Sequence, residues 1–461
     1  MTVFQNVPFD QLEIGMEAET RRLCVADDLY VFAHASGNLN PMHLPREDGD
    51  KDGKPEAVAP SFWVGSLISS VLGNRLPGPG TLYKSQSLRF LGRAHAGDEL
   101  VARVKLIRKE NDRVAIFHTT VSLADGTLLV QGEAEVIAPD QKDSFDAHDV
   151  PGLTVESHRH FDKLLDMAEP LPAIRTAVVA PEDANSLRGA LLAAAHTLIT
   201  PILIGDQDKI LITAQENNLS LDGLEIIHST NHVDASQIAV DMIHENRAAA
   251  IMKGHMHTDD LLRPILRSNG GLKTGRRISH IFVMDVPGLP HVLMVTDAAI
   301  NIAPDLPTKV DIVQNAIDLA QSLGIEIPKV GILSAVETVN PKIPSTLDAA
   351  ALSKMAERGQ ITGGIVDGPL AMDNAVSLAA ARTKGLKSLV AGCAEILVAP
   401  NLESGNMLAK ELSFIAHAEA AGVVMGARCP IILNSRSDSD KSRLASCAVA
   451  ALHAHRMQGI Q

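Results

Sequence analysis

Basic and hydroxyl side chains gather beside predicted strands in the second half of the chain. The segment KGHMHTDDLLRPILR opens with Lys253 after a predicted strand, followed by a helix that carries Arg263 and has Thr258 as its expected N-cap. Further on, Ser435 and Arg436 stand directly between the predicted strand PIIL and a helix. A guanidinium can hold a phosphate group through two hydrogen bonds, and strand-to-helix junctions commonly bind oxyanions. The pattern therefore predicts an anion site.

A second group of cations lies in the loop SNGGLKTGRRISH, which contains Lys273, Arg276 and Arg277. The chain as a whole has 41 Lys and Arg against 55 Asp and Glu, a net charge of −14, so a site for anions must gather its positive charge locally. This loop is either part of such a site or an ordinary solvated loop. The same acidic balance argues against a general nucleic-acid-binding protein.

A polar loop near the N-terminus offers a different chemistry. In VFAHASGNLNPMHL (31–44) the Asn-Pro pair fixes a turn that can bring Asn38 and His43 side by side. A histidine can take a proton from a water molecule, whereas an amide cannot accept one at neutral pH. The sequence therefore predicts a polar turn in which His43 is the side chain that can act as a base.

The first 140 residues have the pattern of an antiparallel sheet around one helix. Ser61 to Leu76 is helical in pattern and apolar on most sides, so it is expected to be enclosed. Asp125-Gly126 marks a hairpin turn. One strand alternates strictly, with its apolar positions at Leu100, Ala102, Val104 and Leu106.

The remainder alternates short β-branched runs with helical patterns, which predicts a mainly parallel α/β sheet with helices on both faces and ligands at the carboxyl ends of its strands. An acidic, proline-bracketed segment separates the two regions. We expect domains at 1–140 and 156–461, joined by a linker at 141–155. His453 and His455 are expected on the surface of the last helix.

The composition also limits the class of protein and its cellular compartment. Four scattered cysteines fit neither a zinc site nor a disulfide framework and suit the cytosol. Acidic residues near the start argue against a signal peptide, and no apolar stretch is long enough to span a bilayer. We therefore expect a soluble, cytoplasmic protein that binds neither nucleic acid nor membrane and contains no metal. The cysteines are Cys24, Cys393, Cys429 and Cys447.

The N-terminal region resembles the MaoC-like, hot-dog-fold enoyl-CoA hydratases. The resemblance lies in SGNLNPMH and in GSLISSVLGNRLPGPGTLYKSQSLRFLG (65–92), and it extends over about the first 140 residues. It implies addition of water to a trans-2-enoyl-CoA to give the (R)-3-hydroxyacyl-CoA. His43 corresponds to the family histidine and Ser66 to the serine that orients the surroundings of its acidic residue. Asn38 stands where the family has an aspartate, which puts turnover in doubt.

Roughly residues 155–461 resemble the phosphate acetyl/butyryltransferase family. The matching segments include STNHVDASQIAVDMI, MKGHMHTDDLLR, VTDAAINIAPD, VDGPLAMDNA, APNLESGNMLAKEL and the SR-x-DS motif. The resemblance implies two α/β lobes that exchange an acyl group between CoA and orthophosphate, with CoA as a substrate and no cofactor.

The same resemblance suggests roles for individual residues. Arg436 would hold the phosphate and Ser435 would donate a hydrogen bond to the carbonyl oxygen. The remaining substrate contacts would come from Thr258, Arg263, Lys253 and Arg276. Stricter acetyltransferases have an aspartate, proposed to take the thiol proton, at the position of Ser442. Asp438 and Asp440 are both candidates for that base here.

These observations predict an acyl-CoA:phosphate acyltransferase with an N-terminal hydratase-like domain. Its partners would be acyl-CoA, CoA and orthophosphate, and it would form a homo-oligomer, a dimer or higher. Two alternatives stay open. Hydration could be the main activity with the larger domain sensing CoA, or the whole chain could be a non-catalytic acyl-CoA-binding regulator.

Overall fold

The computed structural model describes residues 3–44, 57–146, 153, 155, 159–435 and 438–459. The chain divides into two compact units, Met1–Val155 and Glu156–Gln461. Each unit has its own sheet and its own hydrophobic core.

The first unit is an antiparallel sheet packed on a helix. Its main sheet has the strand order β2-β5-β6-β7-β3, with β4 also paired to β7, while β1 pairs with β8. The strands are β1 (Val3–Gln5), β2 (Glu17–Leu23), β3 (Leu82–Gln86), β4 (Arg89–Phe90), β5 (Glu99–Lys109), β6 (Val114–Leu123), β7 (Leu128–Ile137) and β8 (Ser144–Asp146). The helices are α1 (Ala26–Ser36) and α2 (Ser61–Asn74), with short 3₁₀ turns at Phe9–Gln11 and Pro41–His43.

Helix α2 supplies the core of this unit. The alternating apolar residues of β5 are buried, as predicted, and each fully buried aliphatic side chain contributes roughly 1.5–3 kcal/mol. One strip of the helix stays open, because Phe62 is 70% exposed and Ser66 is exposed as well. The buried residues of α2 are Trp63, Val64, Gly65, Leu67, Ile68, Val71 and Leu72.

The second unit is built on one sheet of eleven strands in the order β11-β10-β9-β12-β19-β18-β13-β14-β17-β15-β16. The strands are β9 (Ile174–Val179), β10 (Ile199–Gly205), β11 (Glu225–His228), β12 (Ala250–Lys253), β13 (Ser279–Asp285), β14 (Leu293–Thr296), β15 (Lys329–Leu333), β16 (Ile365–Leu370), β17 (Ile396–Val398), β18 (Glu419–Met425) and β19 (Ile431–Ile432). The helices are α3 (Arg159–Ala168), α4 (Ala184–Ala195), α5 (Gln207–Glu216), α6 (His232–His244), α7 (Thr258–Ile265), α8 (Leu306–Ser322), α9 (Pro344–Glu357), α10 (Met372–Val376), α11 (Leu378–Thr383), α12 (Leu402–Phe414) and α13 (Asp440–Met457).

The sheet contains two parallel groups that run in opposite directions. One group is β11, β10, β9, β12 and β19, and the other is β14, β17, β15 and β16. Strands β18 and β13 lie between the groups and are antiparallel to their neighbours. The predicted mainly parallel α/β unit with two lobes is therefore confirmed.

Helix α13 is buried along most of its length, from Ser442 to His455. It packs against β18 and against helices α3, α4 and α8. The expectation that His453 and His455 lie on the surface is therefore wrong, since they are only 8% and 4% exposed. His453 contacts the hydroxyl of Ser322 at 2.9 Å, and burial lowers the pKa of His453 to about 4.

Candidate active site

The carboxyl ends of β12 and β19 lie side by side in the sheet. Met252 is paired with Ile432, so the chain leaves the two strands at the same edge. Lys253 ends β12 and is 8% exposed, while Ser435 follows β19 and is exposed. The carboxyl edge of a parallel sheet is where α/β proteins place their ligands. The strand register thus brings two of the predicted site residues to one edge.

Helix α7 begins close to this edge. Thr258 is its first residue, and the N-cap is His257, whose side chain makes no capping hydrogen bond. The prediction of Thr258 as the N-cap is therefore wrong by one residue, because helical backbone geometry begins at Thr258 itself. Arg263 lies in the last turn, where its guanidinium is 3.3 Å from Asp260 and its side chain remains 62% exposed. A cation this open keeps most of its donors available.

Hydrogen bonds join the described residues between β19 and α13 to one another and to α13. The N–H of Ser435 donates to Oδ2 of Asp438 at 2.7 Å. The carbonyl of Ser435 accepts a hydrogen bond of 2.8 Å from Arg443. Asn434 donates to Ser446 at 2.9 Å and to Asp438 at 3.3 Å. Ser435 is thus held from both sides of its backbone. Arg436, the predicted phosphate ligand, lies outside the described residues.

Arg443 is a buried cation beneath this loop that sequence reasoning missed. It is 3% exposed, and a Cβ added to Gly189 would lie 2.9 Å from its Cδ, so α4 approaches the arginine through a glycine. Burial acts to raise the pKa of Asp183, but the hydrogen bonds from Ser186 and the charges of His255 and Arg443 together hold it below its ordinary value. An arginine within the alanine-rich segment RLASCAVAALHAH was the available signal.

Asp438 has an unusual environment for a carboxyl group. Burial raises its pKa above the ordinary value, although the Ser435 N–H, the Asn434 amide and the charges of Arg443 and Lys410 all act to lower it. Burial disfavours the charged form of an acid. This carboxyl therefore binds a proton more readily than an exposed aspartate does.

Glu419 lies beside the position that carries an aspartate in stricter acetyltransferases. The hydroxyl of Ser442 donates to Oε2 of Glu419, and the hydroxyl of Ser439 donates to the same oxygen at 2.8 Å. Glu419 begins β18, which is adjacent to β19. A carboxylate from a different element thus contacts Ser442, and no motif or spacing along the chain predicts this contact.

Arg276 is not brought to this edge. It precedes β13, whose first residue Ser279 is paired with Met425 at the end of β18. This register puts Arg276 at the edge of the sheet where β12 begins, whereas Lys253 lies at the other edge, where β12 ends. Its guanidinium pairs with Asp318 of α8, so its charge is balanced there. The expectation that Arg276 shares a substrate site with Lys253 is therefore wrong, because β13 runs in the same direction as β12.

The N-terminal candidate residues lie on the open face of the first unit. Nδ1 of His43 is 2.7 Å from the carbonyl of Val58, so Nδ1 donates and Nε2 carries the lone pair. The side-chain oxygen of Asn38 accepts from the N–H of Asn40 at 3.3 Å. The hydroxyl of Ser66 donates to the carbonyl of Trp63 at 2.6 Å, within its own helix. Of the three residues, His43 has the geometry of a base.

Two classes of site are absent from the part of the chain that the structure describes. Its His, Cys, Asp and Glu side chains form no group of three that could hold a metal ion. Its helices include none that is long and apolar enough to cross a membrane.

The structure is thus an α/β protein with Ser435 held at the carboxyl edge of the sheet, where Lys253 also lies, and this edge is where α/β proteins bind their ligands. Residues 227–451 match the family model "Phosphate acetyl/butaryl transferase", and residues 9–126 match the model "MaoC like domain". The chain belongs to the phosphate acetyl/butyryltransferase family and carries a MaoC-like domain at its N-terminal end.

Individual relatives agree with this assignment. The phosphate acetyltransferase of Rhizobium meliloti is 56% identical over 301 residues, covering 65% of this chain and 95% of the relative. The phosphate butyryltransferase of Clostridium acetobutylicum is 38% identical over 294 residues, covering 64% of this chain and 98% of the relative. The structure of a branched-chain phosphotransacylase from Enterococcus faecalis V583 has a TM-score of 0.54 at 31% identity. It covers 61% of this chain and 99% of the phosphotransacylase chain.

Proposed function

We propose that the second unit exchanges a short acyl group, acetyl to butyryl, between CoA and orthophosphate. Acyl-CoA and phosphate give acyl phosphate and CoA, and CoA is a substrate in both directions. The observation that carries the proposal is the loop of Ser435, which is fixed at the same sheet edge as Lys253 in a chain of this family.

The reaction needs no covalent enzyme intermediate, so positioning and charge neutralisation can supply most of the acceleration. The hydroxyl of Ser435 donates to the carbonyl oxygen as it becomes anionic. Arg436, from the family motif, holds the phosphate. Lys253, Thr258 and Arg263 bind the phosphate groups of the substrates.

The experiment follows thioester formation from acetyl phosphate or butyryl phosphate and CoA. We expect turnover by the unaltered protein and a loss of about 10²–10³-fold in kcat for Ser435→Ala, the range for one oxyanion donor. Ser220→Ala, at an exposed serine elsewhere in the unit, is the matched control and should turn over normally. Lack of thioester with both acyl phosphates would refute the proposal.

We propose a second activity, enoyl-CoA hydration, for the MaoC-like domain. The specific observation in its favour is the hydrogen bond that leaves Nε2 of His43 free to act as a base. Because Asn38 cannot accept a proton, the rate should be low. Loss of crotonyl-CoA absorbance measures it. Tight CoA binding without either turnover would instead support the non-catalytic regulatory alternative.

We also propose that the protein works as a cytoplasmic homo-oligomer with domain boundaries at 1–140 and 156–461. Phe62 and Phe90 support the association. Their ring centroids are 5.6 Å apart in an edge-to-face arrangement, and the two residues are 70% and 39% exposed. An exposed pair of aromatic side chains favours burial against another protein surface. Light scattering after size exclusion tests this, and a monomer at assay concentration would contradict it.

A further inference from the structure

We propose that Asp438 is the group that exchanges a proton with the CoA thiol during acyl transfer. This inference rests on the transferase activity proposed above and assigns the one step for which the sequence left two aspartates open. Stricter acetyltransferases have an aspartate at the position of Ser442, which is a buried serine here, so the base must come from another residue.

The loop geometry fixes the carboxyl of Asp438 close to the proposed oxyanion donor. Oδ2 accepts both the N–H of Ser435 at 2.7 Å and the side-chain amide of Asn434 at 3.3 Å. Oδ1 takes no part in these two bonds. One oxygen therefore holds the loop, and the other is left to accept a proton beside Ser435.

The other two carboxyl groups of this region are placed differently. Asp440 is the exposed first residue of α13, whereas Asp438 accepts directly from the N–H of Ser435. Glu419 accepts the hydroxyl hydrogens of Ser439 and Ser442, which ties this carboxylate to the start of α13. Asp438, by contrast, is the carboxyl whose burial favours the protonated state.

The surroundings of Asp438 are charged on two sides. Arg443 faces it from α13 and Lys410 from α12, while Ser435 and Asn434 donate from the loop. Burial still outweighs these groups and raises the pKa of Asp438. A carboxylate with a raised pKa takes a proton from a thiol more readily than an ordinary aspartate does.

In the direction of thioester formation, the Asp438 carboxylate takes the proton from the CoA thiol, and the sulfur forms a bond to the acyl carbon. The bond between that carbon and the phosphate oxygen breaks. The proton passes to the departing phosphate, which leaves as hydrogen phosphate. In the opposite direction Asp438 returns the proton to the thiolate.

The test is the pH dependence of Asp438→Asn. Asparagine keeps an acceptor oxygen for the Ser435 N–H but cannot take a proton. We expect its rate near pH 7 to fall by about 10²–10⁴-fold. We expect the deficit to shrink toward pH 10, because the thiol ionises unaided above its ordinary pKa of about 8.5. Asp438→Glu, which restores a carboxyl group, should recover part of the rate near pH 7. A deficit that stays constant with pH would mean that Asp438 only holds the loop.

Companion variants separate the remaining outcomes. A pH-dependent deficit in Asp440→Asn or Glu419→Gln, with none in Asp438→Asn, would overturn the assignment. Asp208→Asn alters an exposed aspartate in the first turn of α5 and should behave like the unaltered protein. If the unaltered protein makes no thioester, the transferase proposal itself fails. If it is active and Asp438→Asn is active equally at every pH, only the present inference fails.

Discussion

Replacing Arg443 with methionine should slow acyl transfer although the arginine lies beneath the surface. Arg443 is 3% exposed and donates a 2.8 Å hydrogen bond to the carbonyl of Ser435. Methionine fills much of the same volume against Gly189 without the charge. The Ser435 carbonyl then loses its donor, and the loop loses one of its fixed points.

The magnitude follows from that one hydrogen bond. A bond from a charged donor contributes about 1.5–3 kcal/mol. If Ser435 must be held in the transition state, the same free energy appears in kcat/KM, and 1.36 kcal/mol is a factor of ten. We therefore expect a loss of about 10- to 150-fold. Arg443→Lys keeps the positive charge but not the planar guanidinium group. Its kcat/KM should therefore lie between that of the unaltered protein and that of Arg443→Met.

The pH profile gives a second readout that loosening of the loop alone would not move. Arg443 acts to lower the pKa of Asp438. Asp438 must be ionised to act as a base, so the rate rises with pH through that pKa. Removing the arginine raises the pKa further, and the acid limb of kcat/KM should move to higher pH. Arg358→Met, at an exposed arginine, is the matched control. A folded Arg443→Met with unchanged kcat/KM and an unmoved acid limb would refute the reasoning.

Three further predictions concern other parts of the chain. Arg263→Ala should raise the KM for CoA or phosphate more than it lowers kcat, while Arg267→Ala, at a neighbouring exposed arginine, should leave both unchanged; equal effects would remove Arg263 from the site. Asn38→Asp should raise the rate of crotonyl-CoA hydration by up to about 10²–10⁴-fold, and an unchanged rate would mean that the polar loop is not catalytic. Gly254→Ala would put a Cβ 2.2 Å from a backbone carbonyl oxygen, so its free energy of unfolding should fall by about 1–3 kcal/mol in urea titrations. Gly275→Ala meets nothing within 4 Å and is the control for that comparison.

Much of the architecture could be predicted because its signals are local. The alternation at Leu100 to Leu106 is a property of one strand, and it gave the buried face of β5 correctly. The junction at Ser435 was predictable for the same reason, since a short apolar run followed by a polar turn and a helix places it at a strand end.

The errors arose where the outcome depends on neighbours distant in the sequence. Arg276 was grouped with Lys253 by its charge, but the direction of β13 relative to β12 separates them. His453 and His455 were assigned to the surface because they lie on the last helix. In the structure it is covered on several sides by α3, α4 and α8. Glu419 reaches Ser442 only because β18 lies next to β19.

The burial of α13 has a consequence for biosynthesis. The helix begins directly after the loop of Ser435, and it fills a space bounded by elements that precede it along the polypeptide. The other strands and helices of the unit therefore leave the ribosome before the segment that completes their core. Because Arg443 of α13 also donates to the carbonyl of Ser435, we expect the core of the unit and the backbone at Ser435 to become ordered together when this segment docks.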